Sequence, residues 1–459
     1  MSVFSLSNLK KTWYYLQKNG IRNAVWAVLE RIGQEQEVYA WQEPDEKTLS
    51  FQREHSASLR ISIVVPAYRT KKEHLEAMLN SVSRQSYPHW ELIVADAGGT
   101  AESVQAWAKK NGICLREAAD ASNLAKWKDQ SIVLSTLSEN KGISANTNAG
   151  IELAAGDAVG LLDHDDLLTA NALWEMADCL EKEKKRGKQK LVLFSDEDKC
   201  DGAASRFYEP NFKPDFDGEL LLTNNYICHF TVIETAFLKE LKLRSGFDGA
   251  QDYDLVLRAY AAGGQFVHVP KVLYHWRCHE ASTASNPQSK RYAYEAGQRA
   301  LEDYCLRKGW KATVSGLKHL GFYREDYEGS VFCQRPEIGI WAKPLPGGRD
   351  VFGIRHPKGF LVSGLYENDG SMRYAGLRKG YSGPMHRAAL QQSAPAADLR
   401  SMEVCSALKE RYAQTIAELK EACQGLPTAA QETKILQKSM EFCKEATAAG
   451  YGILWDPQA

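Results

Sequence analysis

The stretch AVGLLDHDDLL, residues 158–168, runs five apolar residues directly into Asp163, His164, Asp165 and Asp166. A run that short and that continuously apolar reads as a strand covered on both faces, the habit of parallel sheets flanked by helices. Three more runs of the same kind surround it: ISIVV (61–65), ELIVA (91–95) and LVLFS (191–195). Helical periodicity separates them over about 74–84, 100–110, 143–154 and 170–186. Strands alternating with helices at this spacing predict a doubly wound α/β domain.

In such sheets ligands bind beyond the carboxyl ends of the strands, so the residues that follow each run are the ones to examine. Pro66, Ala67, Tyr68 and Arg69 follow the first, Asp96 and Ala97 the second, Asp163 to Asp166 the third, and Asp196, Glu197 and Asp198 the fourth. If the extended chain continues past Leu162, Asp163 and Asp165 face one side while His164 and Asp166 face the other. Two carboxylates aligned in this way repel unless a cation or a proton lies between them, and hard oxygen ligands predict Mg2+ or Mn2+. The competing reading has these acids solvating a loop and capping the next helix, a cap that Thr169 is better placed to supply. For Asp163 and Asp165 together the functional reading prevails; for Asp166 alone the two balance.

The whole chain, 459 residues with 44% in the apolar set and 25% charged, can form more than one packed domain. A formal net charge of -1 gives no basic field and excludes a nucleic-acid partner. Ten cysteines stand singly without a CxxC pair, which suits a reducing cytoplasm. No stretch has the apolar length of a signal peptide or a membrane span, so a cytoplasmic location is expected. In SNLKKTWYYLQKNGIRNAVWAVLERI (7–32), two short helices are predicted around Asn19 and Gly20, with Lys10, Lys11, Lys18, Arg22 and Arg31 beside Trp13, Tyr14, Tyr15 and Trp26. One reading is a peripheral foot on the inner face of the plasma membrane. The favoured one is an extension packed on the main domain. A polar link is expected over about 43–59.

A second cluster lies in GAQDYDLVLRAYAAGGQFVHVPKVLYHWRCHEASTA (249–284). A helix is predicted to start near Asp252, where a carboxylate also suits the helix dipole. The strand FVHVP then leads to His275, Arg277 and His279.

Seven motifs thus occur in order over about 60–285: ISIVVPAYRT, ELIVADAGG, NKGISANTNAG, GLLDHDDLL, FSDEDK, QDYDLVLR and YHWRCHEASTA. Together they resemble family 2 glycosyltransferases of the GT-A fold, most of all the bacterial branch that builds surface polysaccharides such as rhamnans and O-antigens. The resemblance implies a GT-A mixed sheet and an inverting, metal-dependent transfer of a hexose or deoxyhexose, without a covalent enzyme intermediate. The donor would be a UDP or dTDP sugar and the acceptor a hydroxyl of a glycan or lipid-linked glycan. By position in the motifs, Asp163 and Asp165 hold the metal, with His275 completing its shell. Pro66, Ala67, Tyr68, Asp96, Asn146, Asp163 and His164 bind the nucleotide sugar, and Asp252 is the base. Asp196, Gln251, Trp276, Arg277 and His279 are donor or acceptor contacts, with Arg277 or His279 reaching phosphate oxygens as the loop CHEASTASNPQSKR orders over the donor. Two positions depart from the family pattern. Ala97 stands where a second acid is common, which leaves the donor base open, and Gln251 replaces an acid before the base.

Rival readings are weaker. A sugar-phosphate nucleotidyltransferase needs a Gly-rich basic loop where this chain has PAYRT, and no GxGxxG follows a strand as a dinucleotide-dependent oxidoreductase requires. A non-catalytic nucleotide-sugar or glycan binder that kept the fold is the alternative from another class. Near the end, SMEFCKEATAAGYGILWDP (439–457) aligns without gaps on DYDLVLRAYAAGGQFVHVP (252–270), with Ser439 on Asp252. The expected organisation is therefore a helical extension and link (1–58), a catalytic GT-A domain (59–310) and a degenerate, non-catalytic α/β relative of it (331–459).

Overall fold

The computed structural model describes residues 39–118, 127–278, 291–316, 321–342, 363–366, 372–375, 402–422 and most positions of 438–455. The helices expected over 7–32 and the residue His279 lie outside them. Ala40–Val314 forms one compact unit, and the C-terminal residues from Ser315 belong to a second. Residues 43–59 are more than a link. Helix α1 (Glu46–Glu54) starts at Asp45, whose Oδ1 accepts the Thr48 N–H at 2.7 Å. It packs into the first unit through buried Gln52, which donates to Glu175 at 3.3 Å and accepts the Ser86 hydroxyl at 2.7 Å.

The four apolar runs form strands. β1 (Ile61–Ala67) and β2 (Trp90–Asp96) pair in parallel, and after α2 (Lys72–Ser83) and α3 (Ala101–Asn111) the sheet extends through β3 (Cys114–Glu117) and β4 (Ser131–Thr136). The last two strands were not expected. The apolar part of SIVLST is only Ile132, Val133 and Leu134, framed by serines that become buried. Helix α4 (Ile143–Leu153) then crosses to β5 (Ala158–Leu161), which pairs in parallel with the other edge of β1.

β6 (Leu167–Leu168), α5 (Ala172–Lys185), β7 (Leu191–Asp201), β8 (Phe207–Asn211), α6 (Gly218–Thr223), β9 (Thr231–Glu234), α7 (Thr235–Leu241), α8 (Gln251–Ala261), β10 (Gln265–Cys278) and α9 (Arg291–Arg307) complete the unit. The sheet order is β3-β4-β2-β1-β5-β9-β7-β10-β6, with β8 beside β7. β9 runs antiparallel to both neighbours and β6 antiparallel to β10, so the α/β sheet is mixed.

Alternation along the strands divides the core between the two faces. Ile61, Ile63 and Val65 of β1 pack with α2, α3 and α5, while Val64 packs with α4, α7 and α8. Gly150 lets α4 lie close to the sheet, since a Cβ there would stand 2.7 Å from Val64 Cγ1. The order reverses at β1, whose successors lie first on one side and then on the other, so the crevice between β1 and β5 is the place where a ligand fits.

The opposite end of the sheet is closed by a buried ion pair. Arg116 Nη2 meets Glu91 Oε2 at 2.7 Å and Ser131 Oγ at 3.0 Å, and Glu91 Oε1 accepts from Ser62 Oγ (2.7 Å) and Ala155 N (3.0 Å). This joins β1, β2, β3, β4 and the approach to β5.

In the second unit, β11 (Ile338–Ala342) pairs antiparallel with β12 (Met402–Val404) and parallel with β13 (Gly452–Trp455). The end of this unit repeats a local geometry of the first. Gly263 (φ 78°) follows α8 and the Gly264 N–H reaches Ala259 O at 2.8 Å; at the aligned positions, Gly450 has φ 88° and the Tyr451 N–H reaches Ala446 O at 3.0 Å. Both are left-handed glycine caps leading into a strand.

Replacing Arg116 by Met leaves Glu91 buried without its cation. Loss of one member of a buried pair costs about 3–5 kcal/mol. Urea denaturation of Arg116→Met should show a loss of that order, and an unchanged midpoint would contradict the role given to the pair.

Candidate active site

β5 ends at Leu161, and Asp163–Asp166 is a β-turn rather than extended chain, closed by the Asp166 N–H donating to Asp163 O at 3.2 Å. The expected alternation of Asp163 and Asp165 against His164 and Asp166 therefore gives way to turn geometry. Asp163, His164 and Asp165 stay half-buried, while Asp166 is buried. His164 Nδ1 is enclosed without a hydrogen-bond partner among the described residues. Burial pushes the Asp163 carboxyl above the usual carboxylate range; His229 and His164 act against this, and the charges of Asp165 and Asp252 add to it.

Two residues of β10 hold the turn. The Tyr274 hydroxyl donates to Asp166 Oδ2 at 2.5 Å and accepts the Asp163 N–H at 3.4 Å. The Arg277 N–H donates to Asp166 Oδ1 at 2.7 Å, and Arg277 Nε donates to the Asp165 carbonyl at 2.5 Å. Arg277 Nη1 also donates to Gly202 O at 2.7 Å, while its Nη2 is buried without a hydrogen-bond partner among the described residues. Burial, and then the charges of Asp163 and Asp165, push the Asp166 carboxyl well above the usual carboxylate range.

Asp252 lies in the first turn of α8, where the dipole favours the anion. Its Oδ2 accepts from Asn225 Nδ2 at 2.8 Å, and its charge reaches Asp163. Gln251 beside it accepts the Gly249 N–H at 2.8 Å. Another group whose charge acts on Asp163 is His229, absent from the sequence expectations. Its ring stacks on Tyr274 at 4.8 Å and meets Trp276 edge-on at 6.2 Å. Its backbone N–H is held by Glu197 Oε2 at 2.5 Å and its carbonyl by buried Lys213 at 2.5 Å. Asn225 and His229 come from NNYICHF (224–230), a stretch with neither an acidic motif nor a clear period.

The structure does not bring His275 to the carboxylate pair. Successive residues of β10 face opposite sides: Tyr274 and Trp276 turn toward His229, whereas His275 Nδ1 pairs with Asp198 Oδ1 at 2.5 Å. Its ring packs between Trp41 (4.5 Å) and Phe207 (4.3 Å), and Nε2 is buried among them. Among the described residues no three His, Cys, Asp or Glu side chains converge as a ready metal site. Asp196 is likewise committed, to His268 Nε2 (2.8 Å) and the Lys213 N–H (2.9 Å).

On the other wall of the crevice, the loops after β1 and β2 are joined by Ala97 N to Ala67 O (2.8 Å) and Arg69 N to Gly98 O (2.9 Å). Pro66 and Ala67 close β1, and the exposed Tyr68 ring carries the Arg69 guanidinium 5.0 Å from its centre. Buried Asp96 accepts three backbone N–H groups, from Gly98, Thr100 and Ala101, and so fixes the start of α3. Asn146 donates to Asn140 Oδ1 at 2.8 Å and orders the entry to α4.

A mixed α/β sheet with paired acids beyond a central strand puts a ligand site at the carboxyl ends of the strands. The profile described as Glycosyl transferase family 2 matches residues 62–241, a stretch shorter than half of the chain. Asp252 and His275 lie beyond the matched stretch. The chain is 36% identical over 255 residues to the uncharacterized protein y4gI of Sinorhizobium fredii, covering 55% of this chain and 26% of that one. It is 34% identical over 256 residues to the O-antigen biosynthesis protein RfbC of Myxococcus xanthus, covering 56% and 19%. It thus spans about a quarter or less of the length of these relatives. Among solved structures, S. aureus TarS 1-349 in complex with UDP-GlcNAc aligns with a TM-score of 0.41 and 20% identity, over 54% of this chain and 67% of TarS. Among the described residues no helix is long and apolar enough to cross a membrane.

Cys228, next to His229, tests the electrostatics of this crevice. Burial first, then the negative charges of Asp252 and Glu197, push its thiol well above the ordinary range. Only the thiolate attacks disulfide reagents, so its reactive fraction at pH 8 is small. Ellman's reagent at that pH should label exposed Cys333 promptly and Cys228 only after denaturation. Equal rates at the two sites would contradict the charge balance described.

Proposed function

We propose that this chain transfers a sugar from a nucleoside-diphosphate donor, of UDP or dTDP type, to a hydroxyl of a glycan or lipid-linked glycan, with inversion, in the assembly of a bacterial surface polysaccharide. The observation that carries the reading is the acidic turn Asp163–Asp166 beyond β5, inside the stretch matched by the family 2 glycosyltransferase profile, with the charge of Asp252 reaching Asp163. The O-antigen role in the name of the Myxococcus relative supports the surface-polysaccharide setting. The GT-A architecture fits the mixed sheet and its switch at β1.

Transfer to a hydroxyl needs a proton acceptor, an oriented donor and relief of charge on the departing diphosphate. Asp252, in the first turn of α8 and oriented by Asn225, accepts the acceptor proton. Tyr68 offers an exposed ring to the nucleobase, beside the loop ordered by Asp96. Asp163 and Asp165 fit a divalent cation, Mn2+ or Mg2+: both are hard oxygen donors, and a bound cation would offset the burial, and then the Asp165 charge, that lift the Asp163 carboxyl. When bound, that ion neutralises the diphosphate leaving group. Residues 331–459 are read as a non-catalytic relative of the first unit, supported by the repeated glycine cap at Gly263 and Gly450.

Screening UDP and dTDP sugars for Mn2+-dependent binding and turnover tests the reading. Asp252→Asn should lower transfer by about 10²–10⁴-fold, the usual contribution of a general base, while nucleotide binding persists. Asp163→Ala and Asp165→Ala should lose the metal-dependent part of binding. Turnover of Asp252→Asn near the parent's refutes the base assignment, and nucleotide affinity without hydrolysis or transfer points to a binder.

A further inference from the structure

We propose that Asp166 is a positioning residue, which holds the Asp163–Asp166 turn in the shape that presents Asp163 and Asp165 to the crevice. The inference rests on the donor-binding role given above to those two acids. Asp166 is 1% exposed, so it cannot itself reach a ligand in the crevice. Both of its oxygens are committed to β10: Oδ2 accepts the Tyr274 hydroxyl at 2.5 Å and Oδ1 accepts the Arg277 N–H at 2.7 Å. Those two residues also grip the neighbours of Asp166 directly, Tyr274 at the Asp163 N–H and Arg277 at the Asp165 carbonyl. Every member of the turn that bears on the donor is therefore tied to one strand, and Asp166 is the point where both ties meet.

The chemistry separates this role from that of a metal ligand. Both partners of Asp166 are donors, and an amide can replace the carboxylate toward each. Its carbonyl accepts the Arg277 N–H while its NH2 donates to the Tyr274 oxygen, which can act as an acceptor. A metal ligand does not survive that exchange, because the amide loses the charge and a coordinating oxygen. Asn and Ala at position 166 thus give opposite results for the two roles.

The test compares Asp166→Asn, Asp166→Ala and Tyr274→Phe with the full-length parent. Amide hydrogen exchange reads the latch without reference to activity. In Asp166→Ala the amides of Asp163 and Arg277 should exchange faster while those of β1 and β2 keep their protection, and in Asp166→Asn all should stay near the parent's. Steady-state transfer at varied donor, acceptor and MnCl2 reads the consequence. The donor kcat/KM should fall about 10- to 100-fold in Asp166→Ala, the scale of an ångström misplacement, with acceptor KM unchanged. Asp166→Asn should stay within a few-fold, and Tyr274→Phe should fall between them. If Asp166→Ala does not fold, the Asn and Phe variants still decide. Equal losses in Asn and Ala, no loss in either, or unchanged exchange at Asp163 and Arg277 overturns the proposal. A parent without transferase activity whose turn loosens in Asp166→Ala refutes the function while leaving the latch intact.

Discussion

Mutual repulsion of carboxylates gathered at one rim of the sheet governs how this site is built. Asp163, Asp165 and Asp166 follow the end of β5, Asp96 is the last residue of β2, Asp196, Glu197 and Asp198 lie within β7, and the charge of Asp252 reaches Asp163. Two unit charges 4 Å apart repel by about 4 kcal/mol even at an effective dielectric constant near 20, so a rim of ionised acids stands only if each is answered. Backbone N–H groups answer Asp96, and Tyr274 with the Arg277 amide answers Asp166. His268 answers Asp196, Lys213 and the His229 amide answer Glu197, and His275 answers Asp198. Asp163 and Asp165 stay half-buried at the turn.

The same logic explains the stiffness of the far end. The Glu91–Arg116 pair, with Ser62, Ser131 and the Ala155 amide around it, satisfies a buried charge with several hydrogen bonds at once. A pair so enclosed contributes geometric definition more than net stability, because desolvation offsets much of its attraction. With one end of β1, β2 and β4 fixed in register, the loops at the other end start from set positions. The crevice inherits its shape from a closure on the opposite side of the sheet.

The strands flanking the crevice were legible in the sequence because burial on both faces writes a continuous apolar run, and β1, β2, β5 and the start of β7 each have one. β4 was not, since Ser131 and Ser135 interrupt the signal and are accommodated only by partners distant in sequence. The helix start at Asp252 was legible from Gly249 and the period that follows. The place of His275 was not. β10 shifts register between Val269 and Val272 and again between Val272 and Tyr274, so parity counted from FVHVP does not carry to the motif after it. Its partner Asp198 lies 77 residues earlier, a distance over which no local pattern speaks. His229 was missed for a related reason: its ring is placed by Lys213, Glu197 and Tyr274, none of them its neighbours in sequence.

Local and non-local encoding also diverge between the two units. A left-handed glycine after a helix needs only a few adjacent residues, and it recurs at Gly450 as at Gly263. A site of the kind in the first unit needs Asn225 for Asp252, Tyr274 for Asp166 and His229 beside Asp163, contacts that span 27 and 108 residues for the first two. Such an assembly fails once any distant member is lost, whereas a cap survives on its own. Recurrence of the cap at Gly450 is therefore a local signal, which carries no requirement for the distant contacts that build the site.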